Sequence, residues 1–235
     1  MVTGLNSIAH PDDGGFAFGP HDISFQGRGG AYEVLHNPDE FLLESNPFAI
    51  LALPGEHIVV DAAGNDLLRV AANGNISTLA AFPQRLVDAP PSLGLPPGTQ
   101  LPMDAVPTSA ALGPDGALYV SQLTGFPFPV GGARIYRVVP GEEPQVYADG
   151  FTNVIDIVFE SDGSLLVLEL AKNSLLSDDP IGALIRLKPD TSREMVLSEG
   201  LTLPTAVAIG DDHSLYISNC GACAGVGQVI RIPRD

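Results

Sequence analysis

A turn followed by a strand recurs through this chain with constant spacing. The segments GPDGALYVSQ (113–122), ESDGSLLVLE (160–169) and GDDHSLYISN (210–219) each begin with an acidic turn, continue as an apolar run and end on a polar residue. The turn acid precedes the final polar residue by seven positions each time: Asp115 and Gln122, Asp162 and Glu169, Asp212 and Asn219. PGEHIVVDA (54–62) fits the same frame with a weaker turn. Asp-Gly between apolar runs favours a β-hairpin because the tight turn needs positive φ.

Each hairpin belongs to a larger unit. An apolar run such as SAALG or AVAIG precedes the turn, and runs such as ARIYRVV and QVYADGF follow it. Four short antiparallel strands per repeat are typical of a β-propeller blade. We therefore predict an all-β, single-domain propeller over residues 1–235, with about five blades. Four units are well formed (46–84, 106–151, 152–201 and 203–235), one is damaged (19–45), and a Pro-rich insertion occupies 85–105.

The first residues resemble the end of such a unit. MVTGL (1–5) is similar to the closing parts of QVYADGFT and MVLSEGLT, whereas the last unit supplies three strands and stops at RIPRD. We predict that Met1–Leu5 pairs beside Gln228–Ile232 and closes the ring, because both strands would otherwise be edges. A second interpretation stays open and is compatible with the first: an upstream blade has been lost and MVTGL is its remnant.

Charge and hydropathy exclude several classes of partner. The 28 acidic and 11 basic residues give a formal net charge of −17, which repels nucleic acid and anionic membrane surfaces. No apolar stretch approaches the ~20 residues that span a bilayer, so we expect no membrane insertion. The first residues also lack the basic and apolar regions of a signal peptide, so we expect no export signal in the chain as written.

The two cysteines lie in the short motif Cys220-Gly-Ala-Cys223. Two cysteines are too few for a disulfide framework. A local disulfide, a redox pair and two small buried thiols all remain open.

Polar residues recur where the strands of each unit meet one face of the predicted ring. First strands begin at this face, which we call the rim, and second strands end there. The alignment of the repeats places the following residues near the rim: Asn46, Asp61, Thr108, Gln122, Asn153, Asp156, Glu169, Thr205 and Asn219, with His21 and Asp22 from the damaged unit. Carboxylate and amide oxygens suit calcium, and Asn153, Glu169 and Asn219 are the candidate ligands. The alternative is that these side chains cap strand ends by hydrogen-bonding backbone groups.

Two loops at the rim are candidates for ligand contact. TGFPFPVG (124–131) places Phe126 and Phe128 in a Pro-stiffened loop, where they could stack on a flat ligand or pack inward. The insertion QRLVDAPPSLGLPPGTQLPMDA (84–105) contains five prolines and could form an ordered lid or a solvated surface loop. We take Asn46, Asp61, Gln122, Phe126, Phe128, Asn153 and Asn219 as the candidate ligand-binding residues.

Several stretches resemble a known family. They are SNPFAILA (45–52), VVDAAGNDLLRV (59–70), VPTSAALGPDGALYVSQLTGFPFPVGGARIYRV (106–138), GFTNVIDIVFESDGSLLVLEL (150–170) and LYISNCGAC (215–223). They are similar to the ScyD/ScyE family of bacterial propeller-like proteins. The resemblance implies a periplasmic or extracellular setting and, for a minority of members, a role in assembling an aromatic pigment. This chain departs from the family in lacking an exported N-terminal region with another blade, and a segment looks excised around Arg28–Asn37.

Three classes of function compete. The first is a non-catalytic propeller that binds a small molecule or a protein at the rim. The second is a metal-assisted lyase or hydrolase acting on a small aromatic or lactone-like substrate, with Glu169 or Asp156 as general acid or base. The third is a degenerate fragment.

Overall fold

The computed structural model describes residues 8–9, 17–18, 45–179, 181–221, 223 and 225–234. This part of the chain contains no α-helix and one 3-10 turn at Pro91–Leu93. The strands are β1 (Ile8–Ala9), β2 (Ala17–Phe18), β3 (Pro47–Leu53), β4 (Glu56–Asp61), β5 (Asp66–Ala71), β6 (Ile76–Ala81), β7 (Arg85–Asp88), β8 (Gln100–Met103), β9 (Pro107–Leu112), β10 (Leu118–Gln122), β11 (Ala133–Val138), β12 (Gln145–Phe151), β13 (Val154–Phe159), β14 (Leu165–Glu169), β15 (Ala183–Leu187), β16 (Arg193–Leu197), β17 (Ala206–Ile209), β18 (Leu215–Asn219) and β19 (Gln228–Ile232).

Four antiparallel meanders confirm the predicted β-propeller. They are β3–β6, β9–β12, β13–β16 and the three-stranded β17–β19, which we call blades one to four. The first strands β3, β9, β13 and β17 contact one another in that order and line the central channel. The predicted damaged blade (19–45) and closing strand (1–5) lie outside the described residues, apart from Ser45. Between these two segments of the sequence, β1 pairs with β2.

The repeated acidic turns explain why the hairpins form where they do. Oδ1 of Asp115, Asp162 and Asp212 accepts the backbone N–H two residues further on, at 3.2, 2.8 and 3.1 Å. The residue after the first two acids is a glycine with φ of 79° or 83°, and His213 occupies the same position in blade four with φ of 59°. Each acid therefore builds its own turn locally, which leaves the flanking apolar residues free to pair as strands.

The apolar core lies between neighbouring blades. Residues of blades one and two form one cluster, blades two and three a second, and blades three and four a third. Ile157 of β13 faces blade two while Ile155 faces blade four, because alternate residues of a strand point to opposite faces. Blades two and three are thus each packed against a neighbouring blade on both faces.

The Pro-rich insertion is ordered and contains a hairpin. β7 pairs with β8 from Arg85 opposite Met103 to Asp88 opposite Gln100. Arg85 Nη2 donates to the carbonyl oxygen of Gly132 at 2.6 Å, which attaches the insertion to blade two. Across the described residues, no helix has the length and apolar character needed to cross a membrane.

The three-stranded blade four allows a test of ring closure. Removing residues 1–5 should expose the outer edge of β19, so we expect faster hydrogen exchange at its outward amides. The free energy of unfolding should fall by on the order of 2 kcal/mol, the contribution of a few backbone hydrogen bonds. Amides that β18 donates to β19 serve as the internal control. Unchanged exchange across Gln228–Ile232 would contradict closure by this segment.

Candidate functional site

Backbone hydrogen bonds at the rim fix the start of each blade. The first residue after a second strand donates its N–H to the carbonyl of the residue before the first strand. These pairs are Ala62 to Asn46 (2.9 Å), Leu123 to Val106 (2.9 Å) and Leu170 to Asn153 (2.8 Å). In blade four Cys220 donates instead to Thr202 (2.8 Å), four residues before β17. The rim is therefore a repeated structural joint on which loops are mounted.

The polar residues that end the second strands reinforce this joint. Asp61, Glu169 and Asn219 each accept a backbone N–H with a side-chain oxygen, from Asn46 at 2.8 Å, Thr152 at 2.7 Å and Thr202 at 2.7 Å respectively. The contacts therefore agree with the strand-capping alternative.

Gln122 differs from its equivalents. Its Oε1 accepts from the Arg134 N–H at 3.2 Å and from Arg85 Nη2 at 3.3 Å, so it holds the insertion and the third strand. Its Nε2 is buried without a hydrogen-bond partner in the described part of the chain. Thr108 bonds to Ser121 Oγ and to the Val154 carbonyl, and Thr205 bonds to Ser218 Oγ.

Asn153 joins two rim loops. It is fully buried and has a left-handed backbone with φ of 44°, which asparagine tolerates better than most residues. Nδ2 donates to the Leu123 carbonyl at 2.9 Å, and Oδ1 accepts from the Leu175 N–H at 3.0 Å. One side chain thus ties the loop after β10 to the loop after β14.

Asp156 lies inside the channel and connects three blades. Its Oδ1 accepts from Ser109 Oγ of β9 at 2.7 Å, and its Oδ2 accepts from the Val207 N–H of β17 at 2.8 Å. Asn153 and Asp156 therefore serve different regions, one at the rim and one in the channel. His21 and Asp22 lie outside the described residues.

A cavity of about 250 Å3 opens at the rim between three loops. The insertion, the loop after β10 and the loop after β14 line this rim pocket with Pro90, Ser92, Pro127, Phe128, Pro129, Val130, Asn173, Ser174, Leu176 and Ser177. The structure thus brings the Pro-rich insertion together with the loop 124–131, which we call the aromatic loop. Asn46, Asp61, Gln122, Asn153, Glu169 and Asn219 do not line the pocket; they hold the loops and strands beneath.

Apolar exposure is concentrated around this pocket. Six of the twelve exposed large apolar side chains of the described residues come from its loops: Leu86, Leu93, Leu95, Phe126, Val130 and Leu176. Phe126 is 45% exposed, and Phe128 is half-buried with its ring edge-on to Phe126 at 6.2 Å between centroids. An apolar concentration of this kind marks a contact surface.

Glu169 is a buried titratable group that hydrogen bonds link to the aromatic loop. Burial raises its pKa to about 7, against the opposing effects of the Thr152 N–H and the positive charges of Arg193 and Lys172. Thr152 Oγ1 in turn accepts the Gly131 N–H at 2.9 Å, at the end of the aromatic loop. Glu169 therefore reaches the loop through one intervening residue.

The proposed calcium ligands already serve the backbone. The side-chain oxygens of Asn153 and Asn219 each accept a backbone N–H, as does Oε1 of Glu169. Within the described ranges, no three His, Cys, Asp or Glu side chains are grouped so that they could hold a metal ion. Calcium at this cluster stays a prediction.

Asp66 was missed by the sequence analysis. It is fully buried opposite Asp61 across the β4–β5 pair, and neither of its carboxyl oxygens has a hydrogen-bond partner within the described residues. Burial and, second, the charge of Asp61 raise its pKa to about 8. Two acids flanking the short AAGN turn were the available signal.

Cys220 and Cys223 form a disulfide with 5.0 Å between their Cα atoms. Cys220 follows β18 directly, so the disulfide lies at the rim in blade four.

No family model and no curated protein matches the chain. Solved structures do match. A protein described as a putative gluconolactonase aligns at 15% identity and TM-score 0.51, over 85% of this chain and 72% of its own. A gluconolactonase from Xanthomonas campestris aligns at 16% identity and TM-score 0.53, over 77% of this chain and 55% of its own length. A catalytically inactive virginiamycin B lyase from Staphylococcus aureus, solved with quinupristin, aligns at 14% identity and TM-score 0.51, over 98% of this chain and 88% of its own length. These similarities show the propeller fold alone.

Glu169→Gln keeps an oxygen for the Thr152 N–H and removes the titration. The folded protein holds the Glu169 proton more tightly than the unfolded chain, whose pKa is near the ordinary 4.5. Protonated Glu169 therefore contributes its full stabilisation to the wild type below pH 4.5, and this contribution is lost as the pH rises to about 7. Between pH 5 and 8, the free energy of unfolding of the variant relative to wild type should increase by on the order of 2 kcal/mol, measured by chemical denaturation.

The exposed Glu143→Gln is the control for this comparison and should leave the pH dependence unaltered. The same pair tests calcium. If Glu169 ligates the ion, calcium should raise the Tm of wild type and not that of Glu169→Gln. An equal gain in both proteins would leave strand capping as the role of this side chain.

Asp66→Asn should show a larger effect of the same sign. Stability contributed by the protonated Asp66 is full below about 3.8 and is lost as pH rises to about 8. The free energy of unfolding of the variant, relative to wild type, should increase by about 1.4 kcal/mol per pH unit between those limits. Because Asp66 and Glu169 lie in different blades, the double variant should show the sum of both effects. Parallel pH profiles for wild type and Asp66→Asn would contradict the raised pKa.

Proposed function

We propose that this propeller binds a small neutral molecule through a flat apolar ring in the rim pocket. The wall of the pocket carries this proposal. Pro90, Pro127, Phe128 and Pro129 supply rigid rings around about 250 Å3, and Leu176 adds an aliphatic side chain. Ring-shaped walls of this kind suit a planar ligand.

The size and charge of the pocket narrow the ligand. Pockets for drug-sized molecules enclose roughly 300–1,000 Å3, so this one suits a single ring or a bicyclic ring. Its polar wall consists of Ser92, Asn173, Ser174 and Ser177, and no lysine or arginine lines it within the described residues. With a net charge of −17 on the chain, an anionic ligand is disfavoured here.

The surrounding exposed apolar side chains also suit a protein partner. Leu86, Leu93 and Leu95 of the insertion extend the apolar surface beyond the pocket. A partner that inserts one aromatic side chain would use the same pocket as a small ligand.

The resemblance to the ScyD/ScyE family supports this proposal. Some members of that family take part in assembling an aromatic pigment, and a ring-binding rim suits such a role. The same resemblance supports a periplasmic or extracellular location as part of this proposal, and the Cys220–Cys223 disulfide suits an oxidising compartment.

An enzyme is the second candidate, favoured by the pKa of Glu169. A carboxyl with a pKa of about 7 can give and take protons at neutral pH. Among the structures of similar fold are gluconolactonases, so a metal-assisted hydrolase or lyase acting on a lactone-like substrate is the activity to assay. Turnover of a lactone panel that Glu169→Gln abolishes would favour this candidate, with Asp156 as the other acid to replace.

Indole is a suitable neutral ring with which to test the rim pocket. Leu176 lines the pocket and is 48% exposed, so Leu176→Ala should leave the fold intact. Loss of its apolar contact should weaken indole binding about five-fold, and Phe128→Ala should weaken it at least ten-fold, measured by NMR titration. Met195→Ala is the matched control, since Met195 is an exposed apolar residue on the outer strand of the same blade. Equal affinity in all four proteins would rule out this pocket.

A further inference from the structure

The rim pocket differs in charge from a second cavity, which lies along the first strands β9, β13 and β17 and which we call the channel cavity. The channel cavity measures about 700 Å3 and has Asp156, Glu160 and Arg234 among its lining residues. The smaller rim pocket has no charged side chain in its wall within the described part of the chain. Polar recognition in the rim pocket therefore depends on neutral hydrogen-bonding side chains, which are Ser92, Asn173, Ser174 and Ser177.

Ser174 and Ser177 are held in place by the turns of the loop after β14. Ser174 Oγ accepts the Leu176 N–H at 3.2 Å, and Ser177 Oγ accepts the Asp179 N–H at 3.1 Å. The Ser177 N–H also donates to the Ser174 carbonyl oxygen at 3.1 Å, which closes a turn between the two serines. Ser174 is buried and Ser177 is half-buried, so both hydroxyls are largely shielded from bulk water.

Each of these two hydroxyls still has a hydrogen to donate. A serine hydroxyl has one hydrogen and two lone pairs, and the backbone N–H that it accepts occupies only one lone pair. Among the residues described, neither Ser174 nor Ser177 donates its hydroxyl hydrogen to an acceptor. No aspartate or glutamate of the described ranges lines the pocket and could take these hydrogens. The pocket thus presents two hydroxyl donors that a ligand can pair.

A carbonyl oxygen is the ligand atom that pairs best with these donors. It has two lone pairs and no hydrogen, so one carbonyl group can accept from both hydroxyls. A ligand N–H group in the same place would leave both serine hydrogens unpaired, which is unfavourable in a shielded site. The aromatic loop supplies Pro127, Phe128 and Pro129 as apolar surface for the ring that carries the carbonyl group.

We propose that the rim pocket selects a neutral one-ring or two-ring compound that carries a carbonyl group. The carbonyl oxygen accepts from Ser174 Oγ and Ser177 Oγ, and the ring lies against Phe128 and the prolines of the aromatic loop. This inference rests on the proposed function, because it names the class of ligand for the same pocket. It assigns recognition of the carbonyl group to the loop after β14 and binding of the ring to the aromatic loop.

Oxindole and indole test this selection by NMR titration, since oxindole has the same two fused rings as indole and adds one carbonyl group. Wild type should bind oxindole about ten-fold more tightly than indole, which is the contribution expected of two neutral hydrogen bonds. Ser177→Ala should reduce this ratio of affinities to about three-fold or less, because one donor is lost. Ser174→Gly should reduce it similarly, and glycine suits the left-handed backbone of Ser174, whose φ is 84°.

Ser192→Ala is the matched control for these variants. Ser192 is exposed in the turn between β15 and β16 of the same blade, and its hydroxyl already donates to Asp190, so the preference for oxindole should persist. Equal affinity of wild type for indole and oxindole would overturn the carbonyl inference and leave the rim pocket as a site for rings. An unchanged ratio in both Ser177→Ala and Ser174→Gly would also overturn it. If wild type binds neither compound, the proposed function fails together with this inference.

Discussion

The hydrogen bond between the residue after each second strand and the residue before each first strand determines the arrangement of this propeller. It holds the chain at Asn46, Val106 and Asn153 and so fixes where each channel strand begins. Val106 and Asn153, which immediately precede first strands, and Leu203, three residues before β17, have left-handed backbones, so the chain turns sharply into the channel. Buried side chains such as Asp61 and Glu169 then satisfy the neighbouring N–H groups, which would otherwise be unpaired donors.

The two cavities differ in chemistry because they are built from different parts of the blades. Loops of blades two and three and the insertion form the rim pocket, and these supply proline, serine and aromatic side chains. First strands and turns form the channel cavity, where Asp156, Glu160 and Arg234 lie within an apolar surface.

The β-propeller fold and the loops that form the rim pocket could be predicted from the sequence. The spacing from Asp115 to Gln122 and from Asp162 to Glu169 predicted hairpins because the turn acid and glycine act locally. The sequence also predicted that Phe128 and the insertion that contains Pro90 lie at the rim, where both residues line the pocket. The burial of Asp66 and the pairing of Arg234 could not be predicted, because both depend on residues distant in sequence. Arg234 contacts Glu160, 74 positions earlier, and no local pattern indicates that pairing.

Asn153 has a consequence for how such a protein can diversify. It anchors the loop after β10 at Leu123, ahead of the pocket wall, and the loop after β14 at Leu175, within the pocket wall. The tip Pro127–Val130 can therefore accept substitutions and changes of length without disturbing the blades. Substitutions that change ligand binding at this tip are therefore separable from substitutions that change the stability of the blades. Asn153 lies between the two regions and holds the loops to the blades.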